Sequence, residues 1–284
     1  MIARHDGEYP LTLRCRVLAV ARSTFYAWRG RPPSLRAETD AALRVLLAAQ
    51  HERAGHEYGA RPHRHDLAVA GYAVSRRRVG RLMRESGLVA VPASRRPARR
   101  PSEPPVPAAP NRLDQQFTVG ARDRVWAADL TYCWTQEGWL YLAALLDLSS
   151  RRVVGWAASA TADHRVVLAA WDRAVALRQP APGLLHHSDR GSVYRSARYQ
   201  QALAAQGAVV SMSGRGACWD NAVVESFFAT LKRGLVHRRS WASRRELTQA
   251  LTRYIDRWYN QERRHSTLGY ISPAEYERTL LQAA

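Results

Sequence analysis

A stretch rich in proline and arginine divides the chain and limits how it can fold. Residues 92–112 read PASRRPARRPSEPPVPAAPNR. Proline fixes φ and has no backbone N–H to donate, so this stretch can neither continue a helix nor enter the middle of a sheet. We predict a linker over residues 92–118, between an N-terminal region at 1–91 and a larger region at 119–284.

The N-terminal region has the pattern of several short helices. Residues 34–55, SLRAETDAALRVLLAAQHERAG, predict an amphipathic helix that ends at its last glycine. Residues 56–90 then predict a helix, a turn at Gly71 and a second helix that starts at Ser75, as in a helix-turn-helix. A small helical bundle without DNA contact would give the same pattern. The candidate DNA contacts on the second helix are Arg76, Arg77 and Arg78.

The larger region changes to the pattern of β-strands. Strand-like runs cover residues 124–134, 139–148, 151–159, 183–189 and 208–213, and helical patterns cover 162–179, 196–207 and the residues from 220 on. The order is β-β-β-α-β-α-β-α, followed by two further helices. We therefore predict an α/β fold with a mixed five-stranded sheet flanked by helices, preceded by an all-α region.

The charge of the chain points to a polyanionic partner. Lys and Arg number 43 against 24 Asp and Glu, a formal net charge of +19, which favours nucleic acid. A membrane surface is the rival polyanion, but no apolar run of ~20 residues and no signal-peptide pattern is present, so we predict a soluble protein. The three cysteines lie far apart without CxxC spacing, which argues against a disulfide scaffold or a zinc site and fits a reducing cytoplasm.

The segment ACWDNAVVESFFATLKRG, residues 217–234, predicts a helix with two charges beside its apolar face. Asp220 is a good N-cap, and the buried stripe is formed by residues 224, 227, 228 and 231. Glu225 lies beside that stripe, and Lys232, the only lysine of the chain, follows two turns later on the same face. Ordinary solvated surface charges are the simpler interpretation of these two residues alone.

Three acids stand out by their positions in the predicted sheet. Asp129 interrupts an apolar strand, Asp189 ends a short buried strand, and Glu225 lies on the later helix. If these elements meet at one edge of the sheet, the carboxylates repel each other unless a divalent cation such as Mg²⁺ or Mn²⁺ binds them. Two such ions form a clamp for phosphoryl transfer, which makes a phosphodiester enzyme a candidate.

Several segments resemble one family, the OrfB (second reading frame) transposases of insertion-sequence family three, whose catalytic core is of the retroviral-integrase DDE type. The core motifs are VWAADLTY, GWLYLAALLDLSSRRVVGWA, HHSDRGSVY and SGRGACWDNAVVESFFATLK, and 35 residues separate Asp189 from Glu225. The flanking motifs are CRVLAVARSTFYAWRGRPP, YGARP with VSRRRVGRLMRESGL, and YIDRWYNQERRHSTLGYISPAEYE. The resemblance spans nearly the whole chain except the linker.

The resemblance implies an RNase H-like fold in which Asp129, Asp189 and Glu225 bind two Mg²⁺ (or Mn²⁺) ions. It implies that Lys232 contacts DNA near the scissile phosphate. The implied reaction is metal-dependent cleavage at the element ends followed by strand transfer, without a covalent protein–DNA intermediate. Gly234 departs from the family pattern, because an acid is usual there, and this could loosen the end of the helix.

Other residues carry weaker expectations. Asp147 is expected in a turn or ion pair, rather than as a fourth acid of the site. His186 and His187 are open between packing and contact with DNA or the acid. We expect the tryptophans of the strands to pack in the core or between helices: Trp126, Trp134, Trp139 and Trp156. Further candidate DNA contacts are Asn221, Arg190, Arg263, Arg264 and His265, the last three with a structural polar network as an equal alternative.

The resemblance also implies partners. We expect DNA (terminal repeats and target), a homo-oligomer in the DNA complex, no membrane, and an upstream-frame (OrfA) product or a frameshift fusion with it. The location expected is the bacterial cytoplasm, with the nucleoid. Two alternatives stay open: a regulatory or inactive derivative that only binds DNA, and an RNase H-like nuclease that cuts without joining.

Overall fold

The computed structural model describes residues 9–90, 108–214 and 218–283. The first of these ranges is all-helical. Its helices are α1 (Leu11–Val17), α2 (Arg22–Arg29), α3 (Leu35–Arg53), α4 (Ala60–Val69) and α5 (Arg76–Glu85). In the described part of the chain, no helix is both long and apolar enough to cross a membrane.

Helices α4 and α5 form the predicted helix–turn–helix pair. Gly71 lies between them with φ +88°, a left-handed conformation that glycine adopts without strain. The side chain of Ser75 caps α5 by accepting a hydrogen bond from the backbone N–H of Arg78 at 3.3 Å. Pro62 lies within the first turn of α4, where the missing N–H costs little. The predicted pair and its start at Ser75 are confirmed.

A five-stranded mixed sheet follows. The strands are β1 (Val125–Thr135), β2 (Gly138–Asp147), β3 (Val153–Ser159), β4 (Leu185–Ser188) and β5 (Val209–Met212), in the spatial order β3-β2-β1-β4-β5. The first three pair antiparallel, and β4 pairs parallel with both β1 and β5. This confirms the predicted meander followed by alternating units.

Helices cover both faces of the sheet, and successive side chains of β1 point into two different hydrophobic cores. Trp126 and Ala128 pack with α6 (His164–Arg178) and α7 (Ala197–Ala205) on one face. Ala127 and Cys133 pack on the other face with α8 (Ala222–Gly234). The predicted apolar stripe of α8 is confirmed, since all four of its residues are buried.

The C-terminal segment packs on the α8 face of the sheet. Helix α9 (Arg244–Thr252) continues as a π-helical segment (Arg253–Glu262), and α10 (Pro273–Ala283) follows. A buried ion-pair network holds α10: Arg178 of α6 donates to both Glu277 and Asp123, with N···O distances of 2.8–2.9 Å. Asp147 is the fully buried last residue of β2, and its carboxylate holds the turn that follows, as predicted, by accepting from the backbone N–H of Ser150; it also accepts from the backbone N–H of Asp123.

Part of the predicted linker belongs to the core. Residues 92–107 lie outside the described residues, but 108–118 pack against the sheet. Leu113 is 2% exposed within the α8-side core, and the backbone N–H of Arg112 donates to the Ser211 hydroxyl at 2.9 Å. A single leucine among polar and proline residues gave no sequence signal of this burial.

The all-helical range contacts the core at the end of α8. The carboxylate of Glu57, between α3 and α4, accepts a hydrogen bond from the Tyr254 hydroxyl at 2.8 Å. A side chain at Gly234 would overlap this carboxylate. Gly234 therefore does not loosen α8, which stays helical up to that residue. Its missing side chain leaves room for the Glu57 carboxylate.

Candidate active site

The register of β1 and β4 brings two of the three acids to the same level of the sheet. Val125 pairs with Leu185, and Ala127 pairs with His187. Two residues further along each chain stand Asp129 and Asp189. Each aspartate therefore lies two residues past the last paired residues, at the same end of the β1–β4 boundary.

Local hydrogen bonds orient both aspartates. Asp129 is 7% exposed, and its Oδ1 accepts from the backbone N–H of Leu130 at 2.8 Å. Asp189 is partly buried just beyond β4, and its Oδ1 accepts from the backbone N–H of Gly191 at 2.8 Å. A Cβ at residue 191 would stand 2.8 Å from that same oxygen, so a side chain there would displace the Asp189 carboxylate.

Asn221 ties the start of α8 to the strand that carries Asp129. Its side-chain amide donates to the backbone carbonyl of Ala128 at 3.0 Å, one residue before Asp129. Asn221, rather than the predicted Asp220, is the N-cap position of α8. The Asp220 carboxylate instead accepts from the side chain of Asn111 and the backbone of Gly214. The sequence could not reveal these partners, because both acids and amides favour helix starts.

Glu225 lies in the first turn of α8, one turn after Asn221, and is partly buried. The three acids thus come from the three elements that meet at this edge of the sheet. Among the described residues, however, no three His, Cys, Asp or Glu side chains form a group that could hold a metal ion. The structure therefore does not gather the three predicted acids into a ligand set.

Lys232 lies two turns beyond Glu225 on α8. Its ammonium stands 5.0 Å from the ring centre of Tyr132, a cation–π contact with a β1 residue three positions after Asp129. The sole lysine of the chain is therefore beside the strand that carries the first acid.

The two histidines before Asp189 are packed inside the fold. His186 and His187 are both fully buried, and their rings contact the hydroxyls of Tyr199, Ser211 and Ser213. Burial lowers the pKa of His186 to about 3 and that of His187 to about 4, so both rings are neutral near pH 7. Packing is the role that the structure assigns to them.

The arginines at the start of α5 differ in exposure. Arg76 and Arg77 are exposed, whereas Arg78 donates to the carboxylate of Asp40 at 2.7 Å. Near the acids, Arg190 is exposed, and its guanidinium donates to the Ser213 carbonyl at 2.7 Å. Three of these four arginines are thus available on the surface.

The cluster at 263–265 forms a structural network. Arg264 pairs with Asp66 of α4 at 3.0 Å and with Glu275 of α10 at 3.3 Å. Arg263 contacts the ring nitrogen of His265 at 3.0 Å, and burial lowers the pKa of His265 to about 2. Of the two interpretations left open for these residues, the structure favours the polar network. Asn221 is likewise buried and bonded to backbone rather than displayed on the surface.

The tryptophans divide into two groups. Trp126 is fully buried, and Trp156 packs partly buried against the core, as predicted. Trp134 and Trp139 are 57% and 42% exposed, so the prediction of core packing was wrong for this pair. They lie near the turn between β1 and β2, on the sheet face that carries Trp126 but beyond the part of it that α6 covers. Strand alternation predicts which face a side chain points to, but not where the helix that covers this face ends.

Comparison with known proteins gives matches along the chain. Models described as Integrase core domain match residues 121–218 and 206–273, and one described as HTH-like domain matches residues 38–96. Among solved structures, the HTLV-2 integrase catalytic core domain in complex with magnesium (trimeric form) aligns at 16% identity, with a TM-score of 0.41, over 54% of this chain and 95% of that chain.

Curated relatives match over nearly their whole lengths. The uncharacterized 31 kDa protein of insertion element IS600 from Shigella sonnei is 38% identical over 270 residues, 95% of this chain and 99% of that protein. Transposase InsF for insertion sequence IS3A from Escherichia coli (strain K12) is 35% identical over 278 residues, 97% of this chain and 96% of that protein. The transposase for insertion sequence element IS904 from Lactococcus lactis subsp. lactis (strain IL1403) is 38% identical over 248 residues, 87% of this chain and 98% of that protein. The chain therefore belongs to the insertion-sequence transposases of the IS3 kind, with a helix-turn-helix-like region followed by an integrase core domain.

Proposed function

We propose that the chain cuts DNA at the ends of its insertion sequence and joins those ends to new DNA, with Asp129, Asp189 and Glu225 as the catalytic acids. The observation that carries this proposal is the shared edge of the sheet. The parallel pairing of β1 and β4 ends two residues before Asp129 and Asp189, and the bond from Asn221 to the Ala128 carbonyl ties the start of the helix that carries Glu225 to β1; both support the proposal.

The donor set suits a hard divalent cation. Carboxylate oxygens are the ligands preferred by Mg²⁺ and Mn²⁺, and we propose that the three acids hold two such ions. When bound, these ions would lower the pKa of the attacking water or DNA 3′-hydroxyl and stabilise the leaving oxygen. Because the described residues form no closed ligand set, metal and DNA binding together would complete the site.

The residues around the acids orient the DNA. We propose that Lys232, two turns after Glu225, contacts a phosphate near the scissile bond, together with the exposed Arg190 next to Asp189. The helix-turn-helix-like region, about 56–90, presents the exposed Arg76 and Arg77 to a second stretch of DNA. No serine or tyrosine nucleophile is assigned, since the DNA hydroxyl itself attacks.

The partners follow from this chemistry. The substrate is DNA at the element ends and at the target, and joining two ends at once requires more than one copy of the chain. We propose a homo-oligomer on DNA in the bacterial cytoplasm, associated with the nucleoid, with the upstream-frame (OrfA) product or a fusion to it supplying further recognition of the ends.

A cleavage and joining assay tests the proposal. A labelled duplex carrying one element end is incubated with the protein in Mg²⁺, for the wild type, Asp189→Asn and Asp172→Asn. Asp172 is exposed on α6, which makes its variant the matched control. We expect product from the wild type and the control, and none from Asp189→Asn, which still binds the duplex.

Other outcomes assign other functions. Cleavage without joining would point to a nuclease. Binding without product from any variant, also after addition of the upstream-frame fusion, would mean that the chain only binds DNA. Full activity of Asp189→Asn would exclude the assigned acids.

A further inference from the structure

Three exposed rings form a continuous aromatic surface at the turn end of the β1–β2 hairpin. These hairpin aromatics are Tyr132 and Trp134 of β1 and Trp139 of β2, with exposures of 57%, 57% and 42%. The ring centres of Trp134 and Trp139 are 4.8 Å apart, and those of Tyr132 and Trp139 are 5.1 Å apart. Large exposed aromatic groups of this kind mark binding surfaces, because each ring has a large apolar area left in water.

Strand geometry explains why the three rings share one face. Trp134 and Trp139 are directly paired across the hairpin, and Tyr132 is two residues before Trp134. Side chains alternate along a strand, so residues 132 and 134 point the same way and their cross-strand neighbour joins them. The rings continue the face that carries Trp126 deeper in the sheet, where helices cover it.

This surface lies on the strand that carries Asp129, one of the proposed catalytic acids, with the rings on the opposite face of β1 from that acid. Tyr132 is three residues from Asp129, a distance of about 10 Å along an extended strand. Lys232 comes from α8 on the opposite face and still places its ammonium 5.0 Å from the ring centre of Tyr132. A second cation, Arg244, donates from its guanidinium to the Trp139 carbonyl at 2.9 Å. Two cations therefore contact the strands that carry the rings, one through a ring and one through a backbone carbonyl.

We propose that the hairpin aromatics stack against unpaired DNA bases next to the scissile phosphate. This inference rests on the proposed function for the identity of the partner. Rings that stack on bases, next to cations that hold phosphates, are the combination by which proteins bind single-stranded nucleic acid. A base inside a duplex is stacked on its neighbours and cannot offer its face, so the occupant is an end or junction at which pairing is lost. An apolar protein partner is disfavoured by the two cations at the surface.

The test compares binding to two DNA ends without cleavage. One duplex has fully paired terminal bases and the other has three unpaired ones, and affinities are measured in Ca²⁺ for the wild type and Trp134→Ala. Stacking contributes about 5- to 150-fold in affinity per base, so we expect the wild type to prefer the unpaired end by at least about fivefold. Trp134→Ala should lose this preference and keep its affinity for the paired end.

Further variants separate stacking from folding and from assembly. Trp134→Phe keeps an aromatic ring and should keep most of the preference, and Trp28→Ala should keep all of it, since Trp28 is 61% exposed on α2, away from the core. A 2-aminopurine in the unpaired segment should lose fluorescence on binding the wild type and not on binding Trp134→Ala. Equal affinity of the wild type for both ends would overturn the proposal. An unchanged preference for the unpaired end in Trp134→Ala would also overturn it. The same holds if Trp134→Ala without DNA sediments as a smaller oligomer than the wild type and still prefers the unpaired end, because the rings would then hold subunits together.

The same measurement distinguishes the inference from the proposed function. Asp189→Asn should bind the unpaired end with the wild-type preference although it cannot cut. Preference for the unpaired end in a wild-type protein that yields no product would refute the proposed chemistry and leave the stacking surface standing. Cleavage by a wild-type protein without any preference for the unpaired end would support the proposed chemistry and refute the stacking surface.

Discussion

Replacement of Gly234 by alanine should destabilise the protein, although alanine is normally the better helix residue. Gly234 is the last residue of α8, and a Cβ atom there would overlap the Glu57 carboxylate and stand 2.9 Å from the Tyr254 hydroxyl oxygen. Burial raises the pKa of Glu57, and three arginines around it, 233, 238 and 263, act in the opposite direction. The carboxylate therefore cannot move away without losing specific partners.

The size of the effect follows from three contributions. Glycine to alanine within a helix stabilises by up to about 1 kcal/mol. Overpacking costs about 1–3 kcal/mol. Displacing the Glu57 carboxylate breaks its 2.8 Å hydrogen bond from Tyr254, and a hydrogen bond to a charged group contributes about 1.5–3 kcal/mol. The net expectation for Gly234→Ala is a loss of about 1.5–6 kcal/mol in the free energy of unfolding.

A double-mutant cycle measures this coupling by chemical unfolding. The four proteins are the wild type, Gly234→Ala, Glu57→Ala and the double variant. Once Glu57 is truncated, Gly234→Ala should become neutral or stabilising by up to about 1 kcal/mol. Gly80→Ala is the matched control, since a Cβ at that position of α5 would meet only the Ala60 Cβ, at 3.8 Å, an ordinary contact. Equal destabilisation by Gly234→Ala in both backgrounds would refute the reasoning.

Three further outcomes are expected. Burial lowers the pKa of His187 from its ordinary 6.5 to about 4, so between these pH values the unfolded state binds a proton that the folded state does not. Urea unfolding should therefore show the free energy of unfolding falling as the pH is lowered from 6.5 to 4. His187→Asn should reduce that slope by about 1.4 kcal/mol per pH unit. Arg178→Met leaves the buried Glu277 and the partly buried Asp123 without their shared partner and should cost about 3–5 kcal/mol by thermal or urea unfolding. Arg165→Met, at an exposed ion pair, should cost under about 1 kcal/mol in the same measurement. DNA affinity should fall linearly with salt on a double-logarithmic plot, and an affinity that does not depend on salt would contradict phosphate-based binding.

The order of helices and strands was predictable from the sequence because each element satisfies its own local rule. Strand alternation and turn residues gave the meander, and the Gly71 turn with the Ser75 cap gave the helix pair. The sequence also placed Asp129 within a strand and Asp189 at the end of one, and β1 and β4 are paired in parallel as neighbours. These features depend on residues near each other in the chain.

The features that were missed depend on partners far apart in the chain. Arg264 forms its ion pair with Asp66, nearly two hundred residues earlier, and no pattern around Arg264 distinguishes that bond from a DNA contact. The exposure of Trp134 depends on where α6 stops covering the sheet, and the role of Gly234 depends on a carboxylate at residue 57. Tertiary packing decides each of these, so sequence alone left them open or gave them wrongly.

Contact between metal and the scissile phosphate is measurable by replacing one non-bridging oxygen of that phosphate with sulfur. Mg²⁺ binds oxygen and disfavours the softer sulfur, whereas Mn²⁺ tolerates it better. We expect the wild type to join the sulfur-substituted end slowly in Mg²⁺ and to recover in Mn²⁺, for at least one of the two diastereomers, and Glu225→Gln to give no product in either. Joining of both diastereomers at the unmodified rate in Mg²⁺ would contradict catalysis by metal ions held on Asp129, Asp189 and Glu225.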